Sequence, residues 1–446
     1  MNATVLRTSR APVSALTALT LLLAGCGSDI FGSSEPPPLE GERIAVLQQE
    51  GVFSVDPETA SVVVALPAPV ANPEWPQVGG YPDHAMHHLA LSAAPAVAWR
   101  ASIGTGGDAY HPLVSEPVAA GGRIFALDAA SVLSAYDLAA GNQIWRVNLT
   151  PEGEDTLFGG GVATDGARVY ATTNYGYVYA VDAASGDPIW LTRIDSALRA
   201  APGLAGDRLI VVTLDNRTVA LSADSGEVLW THSGPVATAG LLGSTAPAIG
   251  DGIAAVSYSS GEVFAIDLAT GEARWSDAIG RDRFRQSPAE VSGITGRITI
   301  DRGLVLVSGN SAITTAIDIA TGERVWQRPL PSANGPWVAG DFLFLITADQ
   351  TLLCLLRATG AVKWYLPLQR FVDPDDSSGP IDWTGPVLAG DRLLLIGTTG
   401  ELLTVSPYTG ELLGSSSIGS GTRVPPVVVA GGVYLLLGDA TLVALR

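Results

Sequence analysis

Short runs in which two sets of side chains alternate along the chain, separated by turns that contain glycine, make up most of this sequence. The stretch Tyr177–Asp182 alternates two sets of side chains with a period of two, which is typical of a β-strand. Asp182 ends the run, and its carboxylate can accept a hydrogen bond from a backbone N–H two residues further on. Gly186 stands where a bulged hairpin needs a positive φ. Trp190 follows on the next strand, so the stretch predicts strand, turn and strand.

The spacing Asp–Gly–Trp, with four residues from each member to the next, returns along the chain. Complete copies are Asp137–Gly141–Trp145, Asp267–Gly271–Trp275 and Asp318–Gly322–Trp326, and partial copies are Ser222–Gly226–Trp230, Leu356–Gly360–Trp364 and Ser406–Gly410–Gly414. Trp99 stands alone, without an upstream turn. The last members of successive copies lie 38 to 51 residues apart. Strand-rich repeats of this length predict a β-propeller with one blade per repeat.

The two ends of the chain complete the count of blades. Residues 432–437 and 441–445 read as strands with no tryptophan strand after them, whereas Trp99 has no unit before it. We therefore predict an all-β fold over residues 96–446. It is an eight-bladed β-propeller of four-stranded antiparallel blades, one of which is shared by N- and C-terminal strands. The recurring indoles are predicted to dock between neighbouring blades and to be structural. They are Trp99, Trp145, Trp190, Trp230, Trp275, Trp326 and Trp364.

The N-terminal region has the pattern of an exported lipoprotein. Residues 1–25 carry two arginines and then an apolar stretch that is too short to span a bilayer, as in a signal peptide. They lead into Leu23-Ala-Gly-Cys26, which looks like a bacterial lipobox with Cys26 as the lipidated residue. The alternative is an ordinary secretory signal with an incidental cysteine. Residues 26–43 are predicted to be a flexible tether, and 44–95 an N-terminal extension. Gly27 favours the outer membrane, with the domain facing the periplasm.

Charge and cysteine content exclude several classes of function. The formal net charge is −19, so nucleic acid and anionic lipid headgroups are not expected as partners. Membrane contact is expected through the lipid anchor only. The two cysteines are Cys26 and Cys354, which cannot supply a disulfide framework. Cys354 lies in an apolar run and is predicted to be a buried structural thiol.

A histidine cluster is the strongest candidate for a metal site. His84, His87 and His88 have i, i+3, i+4 spacing, which could gather imidazoles on one helical face. No distant set of Cys or His ligands accompanies them. The favoured interpretation is a polar loop at the propeller rim, and no metal or cofactor is predicted. The sequence also shows no nucleophile–base pair and no phosphate-binding loop.

The repeated turn with its tryptophan resembles the quinoprotein (PQQ-type) propeller superfamily. Within it, the order of several motifs is similar to the BamB family of outer-membrane assembly lipoproteins, of alphaproteobacterial type. These motifs are the lipobox, Trp75-Pro-Gln-Val-Gly-Gly80, Gly159-Gly-Gly-Val162, Leu241-Leu-Gly243, Tyr258-Ser-Ser-Gly-Glu262 and Pro336-Trp-Val-Ala-Gly-Asp341. The resemblance implies a non-enzymatic subunit of the BAM complex. Such a subunit docks on the periplasmic POTRA domains of BamA, supports assembly of outer-membrane proteins and could meet them unfolded.

The resemblance also implies a contact site for BamA. In that family a Leu-Arg pair in an inter-blade loop makes the contact, and Ser196-Ala-Leu-Arg199 matches its position. Leu198 and Arg199 are therefore the candidate partner-binding residues, with Leu198 expected to be exposed beside the arginine. The alternative is an ordinary loop. The family's paired acidic residues in the next such loop are not retained, because Leu242 and Ser244 stand there.

Two other functions stay open at this point. A PQQ-dependent dehydrogenase would need a calcium site of carboxylate and amide oxygens and an Asp base above the quinone. Such enzymes typically carry adjacent cysteines, which this chain lacks. A propeller that captures peptide strands or glycans in its central funnel is the third hypothesis.

Overall fold

The structure is a computed structural model that describes residues 53–108, 111–154, 159–198, 200–235, 245–279, 294, 296–310 and 313–446. These residues form thirty-four β-strands and a single 3-10 turn at Pro57–Thr59. In the part of the chain so described, no helix has the length and apolarity needed to cross a membrane.

Seven blades are built from consecutive strands, each a four-stranded antiparallel sheet whose first strand is innermost. Blade 1 holds β2 (Val118–Ala120), β3 (Arg123–Leu127), β4 (Val132–Asp137) and β5 (Gln143–Asn148). Blade 2 holds β6 (Gly160–Thr164), β7 (Arg168–Thr173), β8 (Tyr177–Asp182) and β9 (Pro188–Arg193). Blade 3 holds β10 (Gly203–Ala205), β11 (Arg208–Val212), β12 (Arg217–Ser222) and β13 (Val228–Ser233). Blade 4 holds β14 (Ala248–Gly250), β15 (Ile253–Ser257), β16 (Glu262–Asp267) and β17 (Ala273–Ala278).

The remaining blades follow the same order. Blade 5 holds β18 (Thr299–Asp301), β19 (Leu304–Ser308), β20 (Thr314–Asp318) and β21 (Arg324–Arg328). Blade 6 holds β22 (Trp337–Ala339), β23 (Phe342–Ile346), β24 (Thr351–Leu356) and β25 (Val362–Pro367). A hairpin, β26 (Phe371–Asp373) and β27 (Ser378–Pro380), precedes blade 7. Blade 7 holds β28 (Trp383–Ala389), β29 (Arg392–Gly397), β30 (Glu401–Val405) and β31 (Leu412–Ser417).

The eighth blade joins the two ends of the described chain. It holds β32 (Val427–Val429), β33 (Gly432–Leu436), β34 (Thr441–Leu445) and, as the outermost strand, β1 (Val97–Ser102). Strand β1 pairs antiparallel with β34, and Trp99 lies opposite Ala444. The predicted eight-bladed propeller with one blade shared by the terminal strands is therefore confirmed.

The turn between the third and fourth strands has the chemistry that its sequence indicates. Asp182 Oδ1 accepts the N–H groups of Ala184 and Ser185 at 2.8 and 2.9 Å. The N–H groups of Ser185 and Ala184 hold the pKa of the Asp182 carboxyl below its usual range. Gly186 has φ 78°, a conformation that costs glycine no strain. The pairing register shifts just after Ala180, which is the bulge expected for such a hairpin.

Each of the seven tryptophans of the repeat covers the glycine of this turn in the next blade. A Cβ placed on Gly186 would lie 2.8 Å from Cδ2 of Trp145, so the indole lies directly on the backbone. Trp145 Nε1 also donates to the Ala183 carbonyl at 3.1 Å. The same donation joins Trp190 to Ala223, Trp230 to Leu268, Trp275 to Ile319, Trp326 to Arg357 and Trp364 to Pro407. Neighbouring blades are thus fixed by one stacking contact and one hydrogen bond.

Within the described residues, the blade whose outermost strand lacks a tryptophan, blade 7, faces the blade without this turn, blade 8. Gly414 takes the tryptophan position in β31, and β31 faces blade 8. The third and fourth strands of blade 8 are β34 and β1, which come from opposite ends of the described chain and are not joined by a turn. An indole at position 414 would therefore have no glycine turn to cover, which explains the exception in the repeat.

At the junction of blades 8 and 1, two other side chains act as hydrogen-bond donors in place of the indole. Trp99 packs on Gly141, but its Nε1 has no hydrogen-bond partner among the described residues. The acceptor that it would use by analogy, the Leu138 carbonyl, receives the Tyr434 hydroxyl at 3.1 Å and Arg446 Nη2 at 2.7 Å. The last residue of the chain therefore helps to close the ring.

The free thiol of Cys354 lies in the hydrophobic core. Cys354, in β24, is fully buried and is not part of a disulfide. Burial raises the pKa of its thiol, which keeps the group protonated and unreactive at neutral pH.

The contact between indole and glycine can be tested with Gly186→Ala. The new Cβ would collide with Trp145 and the backbone has φ 78°, so the free energy of unfolding should fall by roughly 2–5 kcal/mol. Gly303→Ala is the matched control, because Gly303 has φ 77° with nothing within 4 Å of the added Cβ. It should cost only the backbone strain, about 1–2 kcal/mol. Urea unfolding of both variants measures the difference, and equal losses would contradict the role of the indole.

Candidate functional site

A stretch of the N-terminal extension, residues 70–92, lies across the centre of the ring and bonds to the innermost strand of every blade. Trp75 exchanges two backbone hydrogen bonds with Ala119, at 2.7 and 2.8 Å. The innermost strands of the other seven blades form hydrogen bonds with the same segment, through the pairs Pro76 with Thr164, Gln77 with Leu204, Pro82 with Ile249, Asp83 with Ile300, His87 with Trp337, Leu89 with Leu388 and Asn72 with Val428. Residues far apart in the sequence are thereby joined around one segment, which we call the central plug.

The central plug satisfies backbone groups that the ring alone leaves unpaired. An innermost strand has a neighbour on one side only, so its N–H groups on the other side need acceptors. The plug supplies carbonyl oxygens to Thr164, Ile249 and Ile300 at 2.6 to 2.8 Å. The plug is therefore an integral part of the propeller and closes one end of its channel.

The three candidate histidines belong to this plug, so the prediction of a polar loop at the rim is wrong. His84 and His88 are buried, and each binds a backbone carbonyl through Nδ1, at Ile298 and Pro67. His87 is partly exposed and lies 3.5 Å from Asp301. Their positions are set by strands of different blades, which the local sequence does not reveal. No group of three or more His, Cys, Asp or Glu side chains suited to a metal occurs in the described part of the chain.

A buried ion pair ties the plug to two blades on opposite sides of the channel. Glu116, just before β2, accepts Trp75 Nε1 and the Gly79 N–H, both at 2.8 Å, and Arg297 Nη2 at 2.6 Å. The two charged side chains are 3% and 18% exposed. Burial and the nearby Arg297 charge lower the pKa of His84 to about 3, so His84 is neutral at any physiological pH.

Above the plug lies a blind cavity of about 560 Å³, which we call the cup. Its wall contains, from every blade, a residue just before the innermost strand or at its beginning: Glu116, Gly160, Ala201, Ala246, Arg297, Trp337, Thr384 and Pro425. Val78 of the plug lines it as well, and Trp75 stacks on Trp337 with ring centroids 6.5 Å apart. Because these residues precede or begin the innermost strands, the cup opens at the end of the ring where the inter-blade loops lie.

The buried carboxylate of the cup is not free to hold a calcium ion beside a quinone. Such a site needs a carboxylate free to bind the metal and space at the channel centre. The buried carboxylate here, Glu116, already accepts three hydrogen bonds, two of them from the plug. The plug itself fills one end of the channel. The arrangement provides a recess at the centre of the ring, lined by apolar residues together with polar and charged ones.

The candidate docking loop lies at the open end, but its leucine is buried. Leu198 is 0% exposed and packs between blades 2 and 3 with Ile194 and Leu204. The expectation of an exposed Leu198 is therefore wrong, because this loop crosses the gap between two blades and needs an apolar side chain to fill it. Arg199 lies outside the described residues, as do Leu242 and Ser244.

The sequence analysis missed a leucine beside this loop. Leu214, between β11 and β12, is 43% exposed, and its N–H donates to the Ala197 carbonyl at 2.9 Å. Alignment of the repeats could have revealed it, because the other blades carry small or polar residues at the same position.

Comparison with known proteins identifies related chains. The family model described as outer membrane protein assembly factor BamB matches residues 128–365. The BamB of Yersinia pestis is 25% identical over 362 residues, covering 77% of this chain and 86% of that protein. The crystal structure of BamB from Moraxella catarrhalis superposes with a TM-score of 0.64 at 18% identity, over 78% of this chain and all of that one. A quinohemoprotein alcohol dehydrogenase from Comamonas testosteroni gives 0.65 at 14% identity, over 84% and 80% of the two chains. The last two likenesses show the fold alone.

Glu116→Gln should lower the free energy of unfolding by about 3–5 kcal/mol, because Arg297 would keep a mostly buried charge without its partner. The double variant Glu116→Gln with Arg297→Met should recover a large part of the loss, since both charges are then removed. Urea unfolding of the wild type, the single variant and the double variant measures this. A double variant as unstable as the single one would show that the ion pair is not the cause.

The low pKa of His84 predicts loss of stability in mild acid. The ordinary pKa of a histidine is 6.5, so below that pH the unfolded chain binds a proton at His84. The folded chain does not bind this proton until the pH falls to about 3. Stability therefore falls as pH falls, by about 2 kcal/mol between pH 7 and pH 5. His84→Asn, which tolerates the φ of 61° at this position, should flatten the dependence. Urea midpoints at the two pH values test it, and an unchanged slope in the variant would contradict it.

Proposed function

The chain belongs to the family of the outer membrane protein assembly factor BamB, and on this premise we propose that it is a non-enzymatic scaffold subunit of an outer-membrane β-barrel assembly (BAM) complex. In this role it docks on periplasmic POTRA domains of BamA and supports the assembly and insertion of outer-membrane proteins. The match of the family model to residues 128–365 carries the proposal. Contact with unfolded outer-membrane proteins stays a prediction.

The geometry of the ring supports a scaffold more than a catalyst. One end of the channel is closed by the plug, and the buried carboxylate at the cup is occupied by Trp75, Gly79 and Arg297. The rival function, a PQQ-dependent dehydrogenase, is supported only by likeness of fold at 14% identity. A rigid ring with loops gathered at its open end suits the binding of another protein.

Anchoring is the second part of the proposal. Cys26 carries the lipid and holds the ring at the periplasmic face of the outer membrane, with residues 27–43 as tether. The support is the sequence Leu23-Ala-Gly-Cys26, which precedes a stretch rich in Gly, Ser and Pro. At the ring end of the extension, Asp56 bonds to Val362 N and O of the outermost strand of blade 6, at 2.6 and 3.0 Å.

The docking site is proposed at the loop between blades 2 and 3. Leu198 and Arg199 correspond to the contact pair that the sequence resemblance implies. With Leu198 buried, its part is to fix the shape of the loop, while Arg199 is the candidate for direct contact. Ala200 and Ala201 of the same loop line the cup, so a partner bound here would lie next to the cup's mouth.

Co-purification tests the function. A full-length chain tagged after Arg446 should recover BamA from detergent-solubilised envelopes, because the proposal requires a complex stable enough to isolate. Cys26→Ser separates anchoring from docking. This variant should be absent from the membrane fraction, yet it should still bind purified BamA periplasmic domains. Absence of BamA from the wild-type eluate would refute the scaffold role. A Cys26→Ser chain that stays in the membrane fraction would refute the anchor.

A further inference from the structure

Leu214 has no structural reason to be a leucine. It stands at the second position of the turn between the middle strands of blade 3, where the other blades place Ala129, Asn174, Ser259, Asn310, Ala348, Thr398 and Gly438. The turn in blade 6 has the same geometry: Ala348 N–H donates to Pro331 O at 2.8 Å, as Leu214 does to Ala197, and Gln350 and Asn216 have φ 61° and 62°. Alanine therefore suffices for the turn, and the leucine leaves an apolar surface exposed.

A network of hydrogen bonds fixes this turn to the loop between blades 2 and 3. The Asp215 carboxylate accepts Thr213 Oγ1 at 2.5 Å and Arg217 Nε at 2.9 Å. Arg217 Nη2 reaches the Asp195 carbonyl at 3.3 Å. Burial raises the pKa of the Asp215 carboxyl, but hydrogen bonds from Thr213, Ser196 and Arg217 outweigh burial and hold that pKa below its usual range. The carboxylate therefore stays charged and keeps both loops together at neutral pH.

The two loops form one preorganised surface. Leu198 is buried between blades 2 and 3, whereas Leu214 is 43% exposed. Arg217, the first residue of β12, is held by its hydrogen bond to Asp215 in the same turn. Binding costs less when side chains are already held in place. The centre of a protein interface is more apolar than its rim and is enriched in arginine, so an exposed leucine three residues before an arginine suits such a surface.

We propose that Leu214, flanked by Arg217, is the anchor through which this chain docks on its assembly partner. The inference rests on the proposed function and deepens it, because it assigns the contact to a residue that the family resemblance does not mark. The occupant is a folded protein domain that offers an apolar socket for Leu214. Beside the socket it carries a carboxylate or backbone carbonyl that accepts from Arg217, whose planar group has donors left after the two bonds above.

Leu214→Ala tests the proposal, since alanine occupies the same turn in blade 6. Binding of the purified mature chain to purified BamA periplasmic domains should weaken about tenfold or more, as expected for an anchor residue. Leu413→Ala is the matched control: Leu413 is 57% exposed on the outermost strand of blade 7, and its loss should leave binding unchanged. Both variants should keep the wild-type urea midpoint, because neither side chain is buried.

The outcomes separate the two proposals. A wild-type chain that does not bind refutes the proposed function. Wild-type binding that Leu214→Ala leaves intact, or that Leu413→Ala weakens equally, overturns the assignment of Leu214. Leu198→Ala gives a further comparison: loss of this buried side chain should lower the urea midpoint, whereas Leu214→Ala should weaken binding without doing so.

Discussion

The whole ring depends on one repeated contact, in which an indole lies on a glycine of the following blade and donates to a carbonyl beside it. A residue with a Cβ at that glycine would push the indole away, as the 2.8 Å approach at Gly186 shows. The positive φ of the turn and the close approach of the indole thus demand glycine for two independent reasons. Because every contact joins one blade to the next, the set of contacts fixes the spacing of the ring.

The exceptions obey the same rule. Blade 8 has no turn between its outer strands, so blade 7 carries Gly414 instead of tryptophan. At the junction of blade 8 with blade 1, the Leu138 carbonyl accepts hydrogen bonds from Tyr434 and Arg446. Blade 8 is therefore held together by the pairing of β1 with β34. At its junction with blade 1, Tyr434 and Arg446 supply the hydrogen bonds that an indole donates at six other junctions.

A second constraint acts at the centre of the ring. Innermost strands leave backbone groups without partners, and buried groups of this kind cost free energy unless they are paired. The central plug pairs them from within the same chain, with Glu116 and Arg297 fixing its position. The plug thereby covers one end of the channel, and the cup and the loops between blades lie at the opposite end. This division suits a scaffold, in which a rigid body presents a few loops to a partner.

The sequence by itself determined the strands, the turns, the number of blades and the sharing of one blade by both ends. These follow from local rules: a period of two, a glycine where φ is positive and an indole at a fixed distance. Tertiary structure alone decided that His84 and His88 are buried at the centre and that Leu198 fills a gap between blades. The surroundings of the two histidines come from blades distant in sequence, such as Ile298 for His84. Burial depends on which elements pack together, and a local sequence pattern does not contain that information.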